Sequence, residues 1–585
     1  MKARKFVSIS LLIFTFLSLA GAAASAQTAP LEPAQMPART SFYFLWRGLP
    51  PAEARKSNAL FSLWDDPDFA PMRSGIIESF ANHAGKDEAK KQLARQSFDD
   101  FATLLENPFV FGFLGKPDSV VKSSGAKWQG IFFVYDRTGK EALLTKTVLA
   151  MRAQDKETPQ LSQVTIADVP VLKIERKTGA SYWAETGKYA VSANDSAVLE
   201  EILPILARKS VPPSALAASA EFREAKPLLG SGLFEFFLRF PRLKEFPADN
   251  NVKGFKIAPL LDALKLDSIH SVAGHASLEG TRTRLQGAVL GDPSPSTLFD
   301  IWSQAKSAPT SLSFVSPDTV SYNSGQFNLL ALYEIAKRAM HMYMPPGQQG
   351  GPDLIESIAQ SRLGMSIPDA LGLFTGEFAS IQTSPSLDAA KQSYVLKITK
   401  KPETLKLLHT VLSERIESEK AENDVTFLKI SLSASQSASG TAQWNFYHVA
   451  VTPDTLLASS RNETLRQLLA GRKIPVSGNE YATLPKFQSA RSQFPAELSS
   501  VSFLDFQKLD WQAVKDKWLT DARKAAQKKK NMAEDGNAGK QQPEGVQIPN
   551  WLSSANPQVL SHHLHYMAGA SWKDAKGLHF DQWIE

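Results

Sequence analysis

The chain has 585 residues, of which 43% are hydrophobic, 10% aromatic and 21% charged. This composition is typical of a globular protein and not of a disordered one. The length exceeds one ordinary hydrophobic core, so we expect two or more domains. The absence of cysteine excludes disulfides, thiol catalysis, thiolate metal sites and a lipidated N-terminal cysteine.

Residues 1–26 have the pattern of a secretory signal peptide. A basic start is followed by an apolar stretch over Phe6–Leu19 and by a small-x-small cleavage site at Ala24–Ala26. The alternative is a retained membrane anchor, but the apolar stretch is short for a bilayer. The sequence therefore predicts export through the Sec pathway to the periplasm or the outside, with Gln27 as the first mature residue.

Loss of the signal peptide changes the charge balance. The 65 basic side chains fall by three to 62 while the 59 acidic ones all remain, which leaves a net charge of +3. Such a small excess over so long a chain gives no reason to expect a nucleic-acid partner. No later stretch is long and apolar enough to predict a transmembrane helix in the mature chain.

Composition and pattern divide the rest of the chain into four parts. Residues 27–40 are rich in Ala and Pro and predict a flexible lead-in. We then predict a repeat unit A over 41–291, a linker with a short helix over 292–312, and a repeat unit B over 313–585. A polar Lys/Gly/Gln-rich insertion over 523–546 interrupts unit B.

Several short patterns recur in the same order in both halves, which predicts an internal duplication. Each match alone is weak, and the argument rests on their common order. The matched pairs are Asp100-x8-Phe109 with Asp369-x8-Phe378, Ser192-Ala-Asn194-Asp195-Ser196 with Ser460-Arg-Asn462-Glu463-Thr464, Phe237 with Phe503, and His270-x-x-Ala273 with His565-x-x-Ala568.

Alternating strand patterns, turns and interspersed helices predict the α+β class. We expect each unit to be a mainly antiparallel sheet with packed helices. Two related units in one chain would form a pseudo-symmetric pair, comparable to a fused homodimer.

The duplicated layout resembles a family of exported bacterial proteins of unknown function. The resemblance lies in the signal peptide, the D-x8-F element and the S-x-N-[DE]-[ST] junction before a helix. It covers nearly the whole mature chain, but its motifs are not specific and it provides no catalytic residues. It implies a location in the cell envelope or periplasm.

Three short motifs invite comparison with serine β-lactamases and penicillin-binding proteins. They are Ser119-x-x-Lys122, Lys177-Thr-Gly179 and Ser192-x-Asn194. Their order is wrong, because the KTG motif should follow the S-x-N motif, and the second half has no KTG at the corresponding turn. We interpret Lys177–Gly179 as a hairpin turn.

The remaining polar patterns also have ordinary structural explanations. We predict that Asn194 and Asn462 cap helices, and that Asp65–Asp68 breaks a helix. The C-terminal histidines are His562, His563, His565 and His579. Of these, His563 and His565 would project from one face of a strand as possible zinc or copper ligands, although no carboxylate is placed by the sequence to complete a site.

No group of titratable residues converges in both halves, so we expect no catalytic, cofactor or metal site. The expected function is that of a non-enzymatic binding or scaffolding protein of the envelope, with unknown partners. A carrier for a lipid or other apolar ligand is the alternative, because strands such as Phe42–Trp46 are apolar on both faces. A serine hydrolase is the least favoured class.

Overall fold

In the computed structural model the chain forms one large antiparallel sheet with helices on it, which confirms the α+β class. The structure describes residues 29–84, 88–115, 130–153, 159–176, 179–207, 215–230, 232–240, 265–292, 298–304, 308–343, 351–387, 392–436, 442–472, 484–517, 519–520, 523 and 556–585. The predicted signal peptide and most of the predicted insertion lie outside these residues.

The first half contains ten described strands. They are β1 (Thr40–Trp46), β2 (Phe109–Leu114), β3 (Ile131–Asp136), β4 (Gln160–Ile166), β5 (Val169–Arg176), β6 (Gly179–Thr186), β7 (Tyr189–Ala193), β8 (Phe234–Arg239), β9 (Ile269–Glu279) and β10 (Arg282–Gly291). Its helices are α1 (Ala52–Ser57), α2 (Ala59–Asp65), α3 (Ala70–Ala84), α4 (Glu88–Leu104), α5 (Glu141–Ala153), α6 (Ser196–Leu206) and α7 (Ala220–Ala225).

The second half contains ten more. They are β11 (Ser321–Gln326), β12 (Phe374–Gln382), β13 (Gln392–Ile398), β14 (Ile416–Glu422), β15 (Val425–Gln436), β16 (Ala442–Val451), β17 (Thr455–Ser459), β18 (Ser500–Asp505), β19 (Tyr566–Asp574) and β20 (Gly577–Ile584). Its helices are α8 (Leu329–Tyr343), α9 (Gly351–Leu363), α10 (Ile367–Leu371), α11 (Lys401–Leu412), α12 (Asn462–Ala470), α13 (Pro485–Arg491) and α14 (Val559–His563).

The strands of each half pair in the same relative order. The first half runs β4-β5-β6-β7-β3-β2-β1-β8-β9-β10. The second half runs β14-β15-β16-β17-β13-β12-β11-β18-β19-β20. The two series meet at β10 and β20, which are antiparallel, so the ladder is continuous from β4 to β14.

Ladder partners in the two halves agree with two of the sequence matches. Phe237 on β8 lies opposite Ala273 on β9, and Phe503 on β18 lies opposite Ala568 on β19. All four side chains are buried in the main core of their half, beneath α6 and α7 or beneath α12 and α13. A large ring beside a small residue fills the space between sheet and helices, because interiors are close-packed.

A separate apolar cluster joins the two halves on the sheet's other side. Leu60, Leu63 and Met72 from the first half contact Trp511 and Leu560 from the second. Helices α2 and α14 lie against each other there. The halves are therefore held by a strand joint and by a hydrophobic contact.

The prediction of a flexible lead-in over 27–40 is wrong for the described part of it. Leu31 and Met36 are fully buried in the first half's core, and Arg47 at the end of β1 bonds Glu32 at 2.9 Å. The Ala/Pro composition concealed these anchors, because two apolar residues and one carboxylate are enough to dock a short extended segment.

A buried polar cluster extends from this anchor. The Tyr43 hydroxyl donates to Glu235 at 3.1 Å, and the Arg47 guanidinium lies 3.6 Å from the same carboxylate. Burial raises the pKa of Glu235 despite the nearby guanidinium, and burial together with the Glu235 charge raises the pKa of Tyr43 well above its usual value. The cluster ties the lead-in to β1 and β8.

The described part of the predicted linker over 292–312 contains one short helical turn, and a second turn crosses its end. A short 3-10 turn spans Leu298–Ile301 and a second spans Thr310–Phe314. Leu312 and Phe314 are buried in the core of the second half, so its described end belongs to that core.

Candidate functional site

A cleft lies in the second half, where the strand-to-helix junction before α12 meets the start of β11. Its volume is about 680 Å³, within the usual range for small-ligand sites. Ten residues line it: Pro317, Asp318, Val320, Thr383, Pro385, Arg461, Glu463, Thr464, Gln467 and Lys508. A neighbouring pocket of about 300 Å³ shares Lys508.

Four segments of the chain place these side chains. Helix α12 begins at Asn462 with Arg461 as its N-cap, and the Arg461 side chain makes no capping hydrogen bond. Lys508 is held near the cleft because its ammonium group donates to the carbonyl oxygens of Pro317 and Thr319. The cleft is thus built from the start of α12, the segment before β11, the segment after β12 and the turn after β18.

The corresponding place in the first half is closed by an ion pair. Tyr43 on β1 lies opposite Phe237, and Tyr322 on β11 lies opposite Phe503. The two tyrosines therefore occupy equivalent places, and so do the residues four positions before them, Arg39 and Asp318.

Counting six residues on from each helix N-cap gives a second corresponding pair, Glu201 in α6 and Gln467 in α12. Arg39 donates to Glu201 at 2.8 Å and also to the carbonyl oxygen of Gly115. Asp318 and Gln467 are shorter or uncharged and line the open cleft instead.

The lining suits a small polar ligand. Asp318 and Glu463 are hydrogen-bond acceptors, Arg461 and Lys508 are donors, and the hydroxyl and amide groups can act as either. The apolar part consists of two prolines and one valine, too little to hold a lipid chain. The lining contains no histidine or cysteine to act as a base or thiol nucleophile near neutral pH.

The predicted capping role of the two asparagines is wrong in both halves. The N-cap of α6 is Asp195, whose carboxylate accepts from the N–H of Ala197, while Asn194 accepts from the N–H of Ile131 at 2.9 Å. Asn462 is already the first residue of α12.

The sequence match at this junction is also two residues out of step. One residue separates β7 from its N-cap Asp195, and one residue, Ser460, separates β17 from its N-cap Arg461. Asn194 therefore corresponds to Ser460 and not to Asn462. Polar residues are frequent at every such junction, so a short polar motif of one half can be aligned with the wrong residues of the other half.

The β-lactamase-like motifs are only partly within the described residues. Ser119, Lys122 and Lys177 lie outside them. Ser192 lies within β7, paired with Phe133 and Trp183 on either side, and Gly179 opens β6 with φ of 131°. Gly179 thus has a backbone conformation that favours glycine, as expected for a hairpin turn.

The predicted histidine pair on a strand is wrong. His562 and His563 belong to helix α14, and His565 lies just before β19. His579 stacks on Trp572 with ring centroids 5.4 Å apart. Among the described residues, no group of three or more His, Asp or Glu side chains could hold a metal ion.

His563 instead joins the two halves. Its Nε2 lies 2.7 Å from a carboxylate oxygen of Asp66, and its Nδ1 lies 2.8 Å from the hydroxyl of Ser62. The hydrogen bond with His563 and a second from the N–H of Asp68 lower the pKa of Asp66. Asp65–Asp68 does end helix α2, as predicted, and Asp66 also caps the following turn.

Serine, histidine and aspartate in hydrogen-bond contact resemble the order of a hydrolase triad. However, the hydroxyl of Ser62 lies inside a helix, 3.1 Å from the carbonyl oxygen of Ala59, which can accept its proton. None of the three residues lines either described pocket. We therefore interpret the group as a tie between α2 and α14.

The second half exposes an aromatic ring that the first half covers. Phe109 on β2 lies opposite Trp46 and stacks with it, whereas Phe378 on β12 lies opposite Gly325. Phe109 is 8% exposed and Phe378 is 38% exposed. The exposed leucines and isoleucines on α8 and α9 belong to the same half: Leu330, Leu332, Leu354, Ile355 and Ile358.

Comparison with known proteins adds little. No family model and no curated protein matches the chain. Among solved structures, crystal form I of TP0453 shares 8% identity over 45% of this chain and 81% of that chain, with a TM-score of 0.18. At that score the likeness supports no conclusion about fold or function. No described helix has the length and hydropathy required to cross a bilayer.

Proposed function

We propose that this chain is an exported, non-enzymatic binding protein of the cell envelope that carries a polar small-molecule site in its second half. The observation that carries the proposal is the cleft of about 680 Å³ at the position that Arg39 and Glu201 close in the first half. If the two halves are copies of one unit, the cleft position is closed in the first copy and open in the second. The second copy then has a binding site while the strand order stays the same in both.

The two halves are, in this proposal, copies of one α+β unit. The common strand order and the matched ladder pairs Phe237–Ala273 and Phe503–Ala568 support it. Export rests on the signal-peptide pattern of residues 1–26 and places the protein in the periplasm or outside the cell. N-terminal sequencing of protein from its own host should begin at Gln27, and an uncleaved Met1 would contradict export by this route.

The test of the cleft restores the ion pair of the first half. The double variant Asp318→Arg with Gln467→Glu should fill the cleft, whereas Asp424→Arg with Gln360→Glu makes the same charge changes at exposed positions outside it. Native mass spectrometry of host-purified protein should show a bound small polar molecule in the wild type and the control variant. Its retention by the cleft variant would refute the site.

A carrier for a lipid or other apolar ligand is the second candidate. Phe42, Phe111 and Phe113 form a cluster with ring centroids 5.2 to 6.1 Å apart, and all three rings are only partly buried. The same mass spectra separate the candidates, because a bound lipid can be extracted into organic solvent and would persist in the cleft variant. Labelling with a fluorescent β-lactam tests the least favoured class: absence of an adduct at Ser119 would eliminate a serine hydrolase of the penicillin-binding type.

A further inference from the structure

The two outer strands of the sheet differ in charge. Strand β4 ends the ladder on one side and β14 ends it on the other, and each has one partner among the described strands. Five of the seven residues of β4 are exposed, as are five of the seven in β14. Both edges therefore present backbone N–H and C=O groups to which another strand could bond.

Strand β14 has the protection that edge strands usually carry. Its sequence IESEKAE contains three glutamates and a lysine. Glu419 is its central residue, so antiparallel pairing with a second copy would place two copies of that carboxylate opposite each other. Like charges directly opposite each other destabilise a strand pair, so this edge resists self-association.

Strand β4 lacks that protection. Its sequence QLSQVTI contains no charged residue, proline or glycine, and it includes β-branched residues that favour strands. Leu161 is 54% exposed on it, which makes it the one large hydrophobic side chain of the described first half that is strongly exposed. The sheet therefore has one charged edge, β14, and one neutral and partly apolar edge, β4. Of the two, β4 is the edge suited to pairing with another strand.

We propose that β4 pairs with β4 of a second copy, in antiparallel orientation about a two-fold axis through Gln163. This register places Leu161 opposite Thr165 and Ser162 opposite Val164, each from the other copy, and brings the two Gln163 amides together. Side-chain amides can bond each other in such a position. A C2 contact of this kind is self-complementary and closes at two subunits.

The same type of joint already exists within the chain. Strands β10 and β20 join the two halves edge to edge in antiparallel orientation, so pairing at β4 continues an existing sheet. Seven residues at about 3.4 Å each bury on the order of 600 Å² in total, below the 1,200–2,000 Å² typical of stable complexes. The dimer should therefore be weak and depend on concentration.

Sedimentation velocity over a concentration series tests the proposal on protein purified from its host. The weight-average mass of the wild type should rise with concentration towards twice that of the monomer. Gln163→Lys and Gln163→Glu should each stay monomeric, because either places like charges at the axis. An equimolar mixture of the two should regain association, because opposite charges then meet.

Gln360→Lys on the exposed surface of α9 is the matched control and should associate like the wild type. A wild type that stays monomeric at every concentration would overturn the proposal. It would do so even if this edge instead pairs with a peptide from another protein. So would a Gln163→Lys variant that associates as strongly as the wild type. Failure here leaves the cleft unaffected, because β4 contributes no residue to it.

Discussion

Replacing His563 with alanine should loosen the contact between α2 and α14. The substitution removes two hydrogen bonds that cross between the halves, to Asp66 at 2.7 Å and to Ser62 at 2.8 Å. The apolar cluster beside them, which includes Leu60 and Leu560, remains. We therefore expect α14 to open locally more often while the fold as a whole persists.

The magnitude follows from the exposure of the pair. A hydrogen bond to a charged group contributes about 1.5–3 kcal/mol when buried, whereas exposed ion pairs contribute about 0–1 kcal/mol. The side chains of His563 and Asp66 are 19% and 25% exposed, which lies between these cases. We expect a coupling free energy of about 1 kcal/mol between them, or about fivefold in the local opening constant.

Hydrogen exchange of the backbone amides of Val559–His563, measured by mass spectrometry, reports the local opening of α14 directly. A double-mutant cycle of His563→Ala and Asp66→Asn isolates the coupling, and the asparagine retains an oxygen for the N–H of Asp68. Additive effects of the two substitutions at neutral pH would refute the tie.

The same pair predicts a pH dependence. The pKa of Asp66 is lowered in the folded protein, so its contribution is present above the ordinary carboxyl pKa of about 3.9. The contribution is lost as the pH falls through the lower folded value. The difference in Tm between the wild type and His563→Ala should therefore shrink in that acid range, and an unchanged difference would contradict the assignment.

Two further substitutions test other contacts. Gly577→Ala should destabilise the β10–β20 joint by about 1–3 kcal/mol, because the added carbon would lie 2.1 Å from a backbone oxygen. Gly280→Ala is the control and should cost less, because its added carbon meets no atom within 4 Å. Hydrogen exchange of the β20 amides would show the difference. Phe109→Ala should cost about 3–5 kcal/mol, whereas Phe378→Ala should cost clearly less because its ring is exposed; equal losses of Tm would refute the assigned burial.

Sequence patterns predicted the elements that large apolar residues determine. Phe237 and Phe503 lie at equivalent places in the two strand series, each a buried aromatic ring opposite a small residue. The junction before α12 was matched two residues out of register, because Ser, Asn and Asp are interchangeable at turns. His563 was assigned to a strand but ends helix α14, whose Val559 and Leu560 are buried in the cluster that joins the two halves.

The cleft could not be predicted from either half by itself. Arg461, Glu463 and Thr464 were noticed as a helix start, but the opening depends on what faces them across the fold. That difference lies in Asp318, which is distant from α12 in sequence and occupies the place in the second strand series that Arg39 occupies in the first. The difference is found by comparing the two halves through the register of their strand ladders, and not through sequence motifs.

The position of β20 sets the order in which the molecule can be completed. The chain emerges N-terminus first, so β10 becomes available to fold long before its partner β20, and until then it is the free edge of the first half. Arg282 and Arg284 give this temporary edge two positive charges that hinder pairing with other chains. The same arginines later bond Glu585 and Asp581, so the residues that protect the edge while it waits also hold the joint once it closes.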